Sequence, residues 1–160
     1  MNRRNVVPAL LVAAVIGTGV PATVLYHESL TGAAAQDNRA PAGAAAKGRI
    51  ERILSYRSDT IDQDVVAAKA ATTGEFGQQF AATADQVITP AARQAGITTT
   101  ATVVSTAVES ASPDGVAVLA FVNQTTTTRD QPQPRTSALR LRVTLDRAGG
   151  RWLVSHLAQV

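Results

Sequence analysis

Along the second half of the chain, apolar and polar residues alternate with the period of a β-strand. In the run from Ser137 to Arg147, Leu139, Leu141, Val143 and Leu145 fall on one face and Arg140, Arg142 and Thr144 on the other. This period of two marks a strand with one buried side. A second run, Arg151 to Val160, follows Ala148-Gly149-Gly150, a turn signal. Upstream, Thr98 to Ser110 is rich in threonine and valine, and Pro113-Asp114-Gly115 leads into Val116 to Thr127. These segments predict four antiparallel strands in a curved sheet.

Before Ile97 the period is helical. Ile50, Ile53 and Leu54 share one face of a short helix ending near Tyr56. Asp59 is placed to cap a second helix, carrying Ile61, Val65, Ala68 and Thr72. Thr72-Thr73-Gly74-Glu75 has the spacing of a capping box opening a third. Its stripe is Phe76, Phe80, Ala84, Val87, Ile88 and Ala91, with a kink expected at Pro90 and an end at Gly96. Three helices followed by four strands is the order of an α+β domain, helices packed on one side of the sheet.

The first 48 residues read differently. Asn5 to Tyr26 carries no charge and is preceded by Arg3 and Arg4. As a helix it would be about 33 Å long, enough to cross a bilayer core. We therefore expect a cytoplasmic N-terminus at 1–5, a transmembrane anchor at 6–26, an Ala/Gly-rich tether at 27–48 and an extracytoplasmic domain at 49–160, oriented by the positive-inside bias. That predicts a single-pass protein of the cell's inner membrane. The competing reading is a cleaved signal peptide, with Ala33 and Ala35 before Gln36 as the small-residue site.

Composition removes several function classes. The 160 residues contain no cysteine, which excludes disulfides, thiolate catalysis and cysteine-ligated zinc. The formal net charge is +3, but without Arg3 and Arg4 the 13 remaining Lys and Arg face 12 Asp and Glu, so the domain is nearly neutral. No basic stripe interleaves with aromatics, and nucleic acid is not an expected partner. No phosphate loop, nucleophile elbow or metalloprotease motif occurs, and no cofactor is implied. Asp59, Asp62 and Asp64 lack the glycine and distal glutamate of a calcium loop and read as negative charge at a helix start. His156, alone in the domain, makes neither a zinc site nor a triad. Trp152, opening an apolar strand after glycines, is expected to seal the core.

The six arginines 129, 135, 140, 142, 147 and 151 crowd the last third against Asp130 and Asp146, giving it +4 (6 − 2). Arg135, Arg140 and Arg142 are the candidate docking surface for an acidic partner or lipid headgroups. Tyr56, Phe76 and Phe80 are the candidate lining of a pocket between sheet and helices.

The membrane segment, the three-helix region beginning LSYRSDTIDQDVVAAKAATTGEFGQQF (54–80), FVNQTTTT (121–128), the Gln133-Pro134-Arg135 loop, LRVTL (141–145) and GRWLVS (150–155) together resemble the Mce-associated membrane proteins of mycobacteria and related actinobacteria. The resemblance implies a cone of curved sheet and helices, similar to cystatin or nuclear transport factor 2. It implies a noncatalytic accessory role at Mce complexes that import lipids or sterols, with transporter subunits, the membrane and lipid as partners. The rival expectations are an extracytoplasmic lipid-binding or isomerase-like pocket protein, and a scaffold of a secretion system.

Overall fold

The structure, a computed structural model, describes residues 32–160. The expected cytoplasmic stretch 1–5 and anchor 6–26 lie outside the described residues, while the small-residue site of the competing reading, Ala33 to Gln36, falls at the start of the first helix. Among the described residues, no helix is long and apolar enough to cross a membrane.

Helix α1 spans Gly32–Leu54, a two-residue strand β1 follows at Tyr56–Arg57, and α2 covers Ile61–Lys69. Helix α3 (Gly74–Thr83), a π-turn (Ala84–Ile88) and α4 (Thr89–Ala95) run on from one another as a single rod. Strands β2 (Thr98–Ala111), β3 (Gly115–Thr127), β4 (Arg135–Ala148) and β5 (Arg151–Gln159) complete the chain. The sheet has five antiparallel strands in the order β1-β2-β3-β4-β5, one more than the alternation predicts. The extra strand, β1, pairs only Tyr56 with Thr99 and Arg57 with Thr98; two residues are too few to show a period.

The largest departure is α1. The stretch expected as a tether is helical from Gly32, and helix continues through Gly48 into the predicted short helix. Its buried stripe is Ala42, Ala46, Ile50 and Ile53, the first three fully buried. Alanine hides this stripe from a reading of apolar periodicity, because it is both a good helix former and only weakly hydrophobic. Small residues are what the packing requires. A Cβ on Gly43 would come within 3.8 Å of Val108 Cγ2, so helix and strand approach closely here.

Helix α1 also takes up the hydrogen bonds that a curved sheet leaves open at its edges. Ser55 Oγ accepts from Ala101 N and Glu51 Oε1 from Val103 N, both at 2.9 Å, where β2 runs beyond β1. On the opposite edge, Arg49 Nε donates to the Trp152 carbonyl at 3.1 Å. The α2–α3 connection covers the next step of β5, with Thr73 N donating to Val154 O and Val154 N to Ala71 O, both at 2.9 Å. Unpaired buried backbone groups cost about 1–3 kcal/mol each, so these contacts decide where the helices sit.

Local signals were partly redirected. Thr60, not Asp59, holds the N-cap of α2. Asp59 instead pairs with Arg57 at 2.6 Å, while Asp64 Oδ2 accepts from Arg57 N and the Thr60 hydroxyl. Thr73 caps α3 without a side-chain bond, and Glu75 accepts from Gln79, so the capping box does not form. At the break expected near Pro90 the helix changes type: a π-turn precedes it, its wider hydrogen-bonding ring accommodating the missing N–H of Pro90. Gly96 ends the rod in the left-handed conformation at φ 61°, as its position predicts. Gly149 and Gly150, at φ 56° and 75°, give the β4–β5 hairpin the two positive angles of a type I′ turn.

Inward positions of the strands form the core: Val116, Val118, Ala120 and Val122 of β3 and Leu141, Val143 and Leu145 of β4 are at most 1% exposed. Trp152 closes it, 9% exposed. Two substitutions test the α1 assignment. Ala46→Leu should destabilise the fold by about 1–3 kcal/mol through overpacking. Glu51→Ala should cost a similar amount, about 1–3 kcal/mol, by stranding the Val103 N–H. Urea unfolding of the detergent-solubilised chain, followed by circular dichroism, measures both; an unstructured tether would leave Ala46→Leu silent.

Candidate docking surface

The alternation of β4 places Leu141, Val143 and Leu145 inside and Arg140 and Arg142 outside. Register then assembles the outer face. Arg140 lies beside Phe121 of β3, which lies beside Ser105 of β2; Arg142 lies beside Leu119, which lies beside Ala107. A bulge between Val103 and Ser105 inserts Val104 into this face. Val104 is 62% exposed and Phe121 43%, an apolar centre within otherwise polar surroundings.

The candidate arginines have different situations. Arg142 forms a two-pronged pair with Glu109, Nε to Oε2 at 2.8 Å and Nη2 to Oε1 at 3.0 Å. This pair bridges β4 to β2 across Leu119, and the Arg142 hydrogen bond holds the Glu109 carboxyl below its ordinary range. Arg140 Nε donates to the Val160 carbonyl at 3.1 Å, while Val160 N donates to Arg140 O, pinning the chain's last residue beside β4. Arg135, at the start of β4, is exposed. Arg129 is not part of this face: its backbone N donates to Ala95 O and its Nη1 to Gln94 O, capping the end of α4. The face is therefore less cationic than the arginine count implies and more apolar.

The predicted pocket residues meet only in part. Tyr56 and Phe80, 8% and 4% exposed, border a cavity with Ile53, Asp64, Val65 and Ile88. Its volume is about 10 Å³, room for one water at most. Phe76 does not line it; its ring stacks on Phe80 with centroids 6.2 Å apart. Burial raises the Tyr56 phenol above its ordinary value, opposed by the Thr99 hydroxyl. Both oxygens of the Asp62 carboxylate accept from Arg93 and Lys69 pairs with Asp85, two ties of α2 to the rod, whereas Asp59 and Asp64 are held within their own loop by Arg57 and Thr60. His156 is exposed on β5 opposite Thr144. Asn123 faces outward, while Gln124 turns in to the Leu54 carbonyl at 3.3 Å.

Val104, Phe121 and Glu109 were not among the sequence candidates. Phe121 was legible, since Val122 beside it must face inward if the strand alternates. Val104 and Glu109 depend on the bulges of β2, which leave no mark in the residue pattern.

Over residues 4–160 the chain matches the family described as uncharacterized protein Rv1363c/MT1408-like. The chain belongs to this family. Among Rv1363c/MT1408-like relatives it is 36% identical over 157 residues to the uncharacterized protein Rv1362c of Mycobacterium tuberculosis, covering 96% of this chain and 71% of that one. It is 39% identical over 122 residues to a protein named outer membrane protein Rv1973 from the same organism, covering 76% of each. The fold is that of several solved structures. An IcmL-like type IV secretion system protein of Legionella pneumophila superposes with TM-score 0.63 at 10% identity, covering 76% of this chain and 91% of that one. VirB8 of Agrobacterium tumefaciens gives 0.58 at 12%, covering 78% and 92%. A nuclear transport factor 2-like protein of Salmonella enterica gives 0.55 at 14%, covering 76% and 91%. At these identities the likeness is one of fold, and it agrees with the expected cone.

The Glu109–Arg142 pair gives a pH dependence. Because the folded carboxyl sits below its unfolded value, its stabilisation is present above the ordinary glutamate range and is lost as pH falls through the lower folded value. The difference in melting temperature between the unmodified chain and Glu109→Gln should therefore close below about pH 4, and salt should narrow it at neutral pH.

Proposed function

We propose that this protein is a noncatalytic accessory component of the cell envelope, anchored in the inner membrane by 6–26, that scaffolds an Mce-type lipid or sterol import complex through the outer face of its sheet. The space bordered by Tyr56 and Phe80, about 10 Å³, is too small for a lipid or a substrate. The observation that carries this reading is the outer sheet face. There Phe121 stands between Ser105 and Arg140, with Val104 beside Ser105, an apolar centre with a polar rim. The relative named an outer membrane protein supports an envelope address, as does the uncharged stretch from Asn5 to Tyr26. Anchoring concentrates the domain beside its partner, so an interface of modest area is sufficient. The Mce assignment itself rests on the sequence resemblance.

Crosslinking in native membranes followed by affinity purification tests the reading. Mce transporter subunits should be recovered, and Phe121→Glu or Arg140→Glu should lower their recovery by roughly tenfold or more, the loss of about 1.4 kcal/mol or more at the centre of an interface. Recovery of secretion-system subunits instead, or of no transporter subunit, overturns the assignment.

A further inference from the structure

A second cationic feature lies away from the outer face, in the seam between α1 and the β4–β5 hairpin. Trp152 is its hub. Its carbonyl holds Arg49 Nε at 3.1 Å, the Arg147 guanidinium lies 5.8 Å from its ring centroid, and Arg151 precedes it in the chain. Arg52 stands one turn beyond Arg49 on the same flank of α1. Among the described residues, none of these four arginines belongs to an ion pair; the pairs are Arg57–Asp59, Lys69–Asp85, Arg93–Asp62 and Arg142–Glu109. The carboxylates nearest in sequence are turned elsewhere. Glu51 faces the β2 edge, where it accepts from Val103 N, and Asp146 alternates to the face of β4 opposite Arg147. Arg49 is half-buried, and its guanidinium is held below its ordinary value first by burial and then by the charges of Arg151 and Arg52. It nevertheless remains protonated. Arg52, Arg147 and Arg151 are exposed and Arg49 half-buried, so four guanidinium groups without an ion-pair partner among the described residues make a cationic seam that attracts anions, with Asp114, whose carbonyl accepts from Arg147 N at 2.8 Å, at its edge.

We infer that this seam is a contact surface for the anionic phosphate headgroups of the bilayer that holds the chain, so that the domain lies with α1 along the membrane. Covalent geometry keeps the seam within reach of the bilayer. Tyr26 ends the uncharged stretch six residues before α1 begins, so the start of α1 stays within about 20 Å of the end of that stretch. Arg49 lies about 25 Å further along the helix. An upright helix would carry the seam away from the surface, whereas a helix lying flat brings it to the headgroups. Arginine forks match phosphate oxygens in geometry as well as charge, and each cation near an anionic leaflet contributes about 1 kcal/mol, roughly a fivefold change in equilibrium. The inference rests on the reading of 6–26 as a membrane anchor and is independent of the Mce assignment.

The chain has no cysteine, so one label can be introduced cleanly. Gly48 is exposed, and a Cβ there meets nothing within 4 Å. Full-length Gly48→Cys carrying a fluorophore is reconstituted into vesicles of phosphatidylcholine alone, or of phosphatidylcholine with phosphatidylglycerol, each with a headgroup-linked quencher. Ala138→Cys, exposed on the outer sheet face beside Asn123, is the control site. Quenching at position 48 should appear with phosphatidylglycerol, be much weaker in phosphatidylcholine alone and fall with added salt, while position 138 responds little. Arg52→Gln combined with Arg151→Gln should shift the docked-to-undocked ratio by roughly 25-fold; Arg49 is left intact because it also ties α1 to β5. Circular dichroism melting confirms that the double variant is folded. Equal quenching in both lipids, no effect of the double variant in a folded protein, or crosslinking of position 48 to a protein in native membranes overturns the inference. Failure of the unmodified chain to float with vesicles overturns the anchor reading, and this one with it.

Discussion

A sheet curled into a cone has two edges whose backbone groups find no strand beside them, and helix α1 answers to both. Ser55 and Glu51 reach β2 on one side, and Arg49 reaches Trp152 of β5 on the other. Because polar atoms from a single turn and a half of helix serve both edges, neither edge can move far without stranding a donor or acceptor. The interior is then set by what fits beneath α1, and the fully buried Ala42 and Ala46 show how close that fit is. Edges covered this way are also withheld from pairing with other chains.

That closure has a functional consequence. With α1 seated on the sheet, the space that Tyr56, Phe80 and Ile88 border is only about 10 Å³. Two of the surfaces differ in kind. The outer sheet face is apolar at its centre, with Arg142 already occupied by Glu109. The seam at Trp152 gathers four arginines that form no ion pair among the described residues.

Much of the fold was legible in the residues. The bounds of β2 to β5 follow the alternation closely, since one buried face forces a period of two and a one-residue slip would expose the whole core set. Gly96 and the Gly149-Gly150 pair were readable because positive backbone angles favour glycine. The helical stretch before Ile50 was not, because an alanine stripe carries little hydrophobic contrast and Pro41, Gly43 and Gly48 lower its helical propensity. The caps at Asp59 and Glu75 failed for a similar reason: side chains with suitable spacing found better partners in Arg57 and Gln79.

The candidate site divides along the same line. Sequence alone determined which face of β4 carries Arg140 and Arg142 and that Trp152 belongs to the core, because alternation and hydrophobicity are local properties. It also limited the chemistry, through the absence of cysteine and of catalytic motifs. Only tertiary structure decided that Glu109 neutralises Arg142, that Arg129 is spent on a helix end, that Tyr56 and Phe80 border a space of only about 10 Å³, and that Arg147 lies over the Trp152 indole while Arg49 holds its carbonyl. These depend on strand register, on bulges and on the path of α1 across the sheet. Such relations join residues 33 to about 100 positions apart, and no local pattern encodes them.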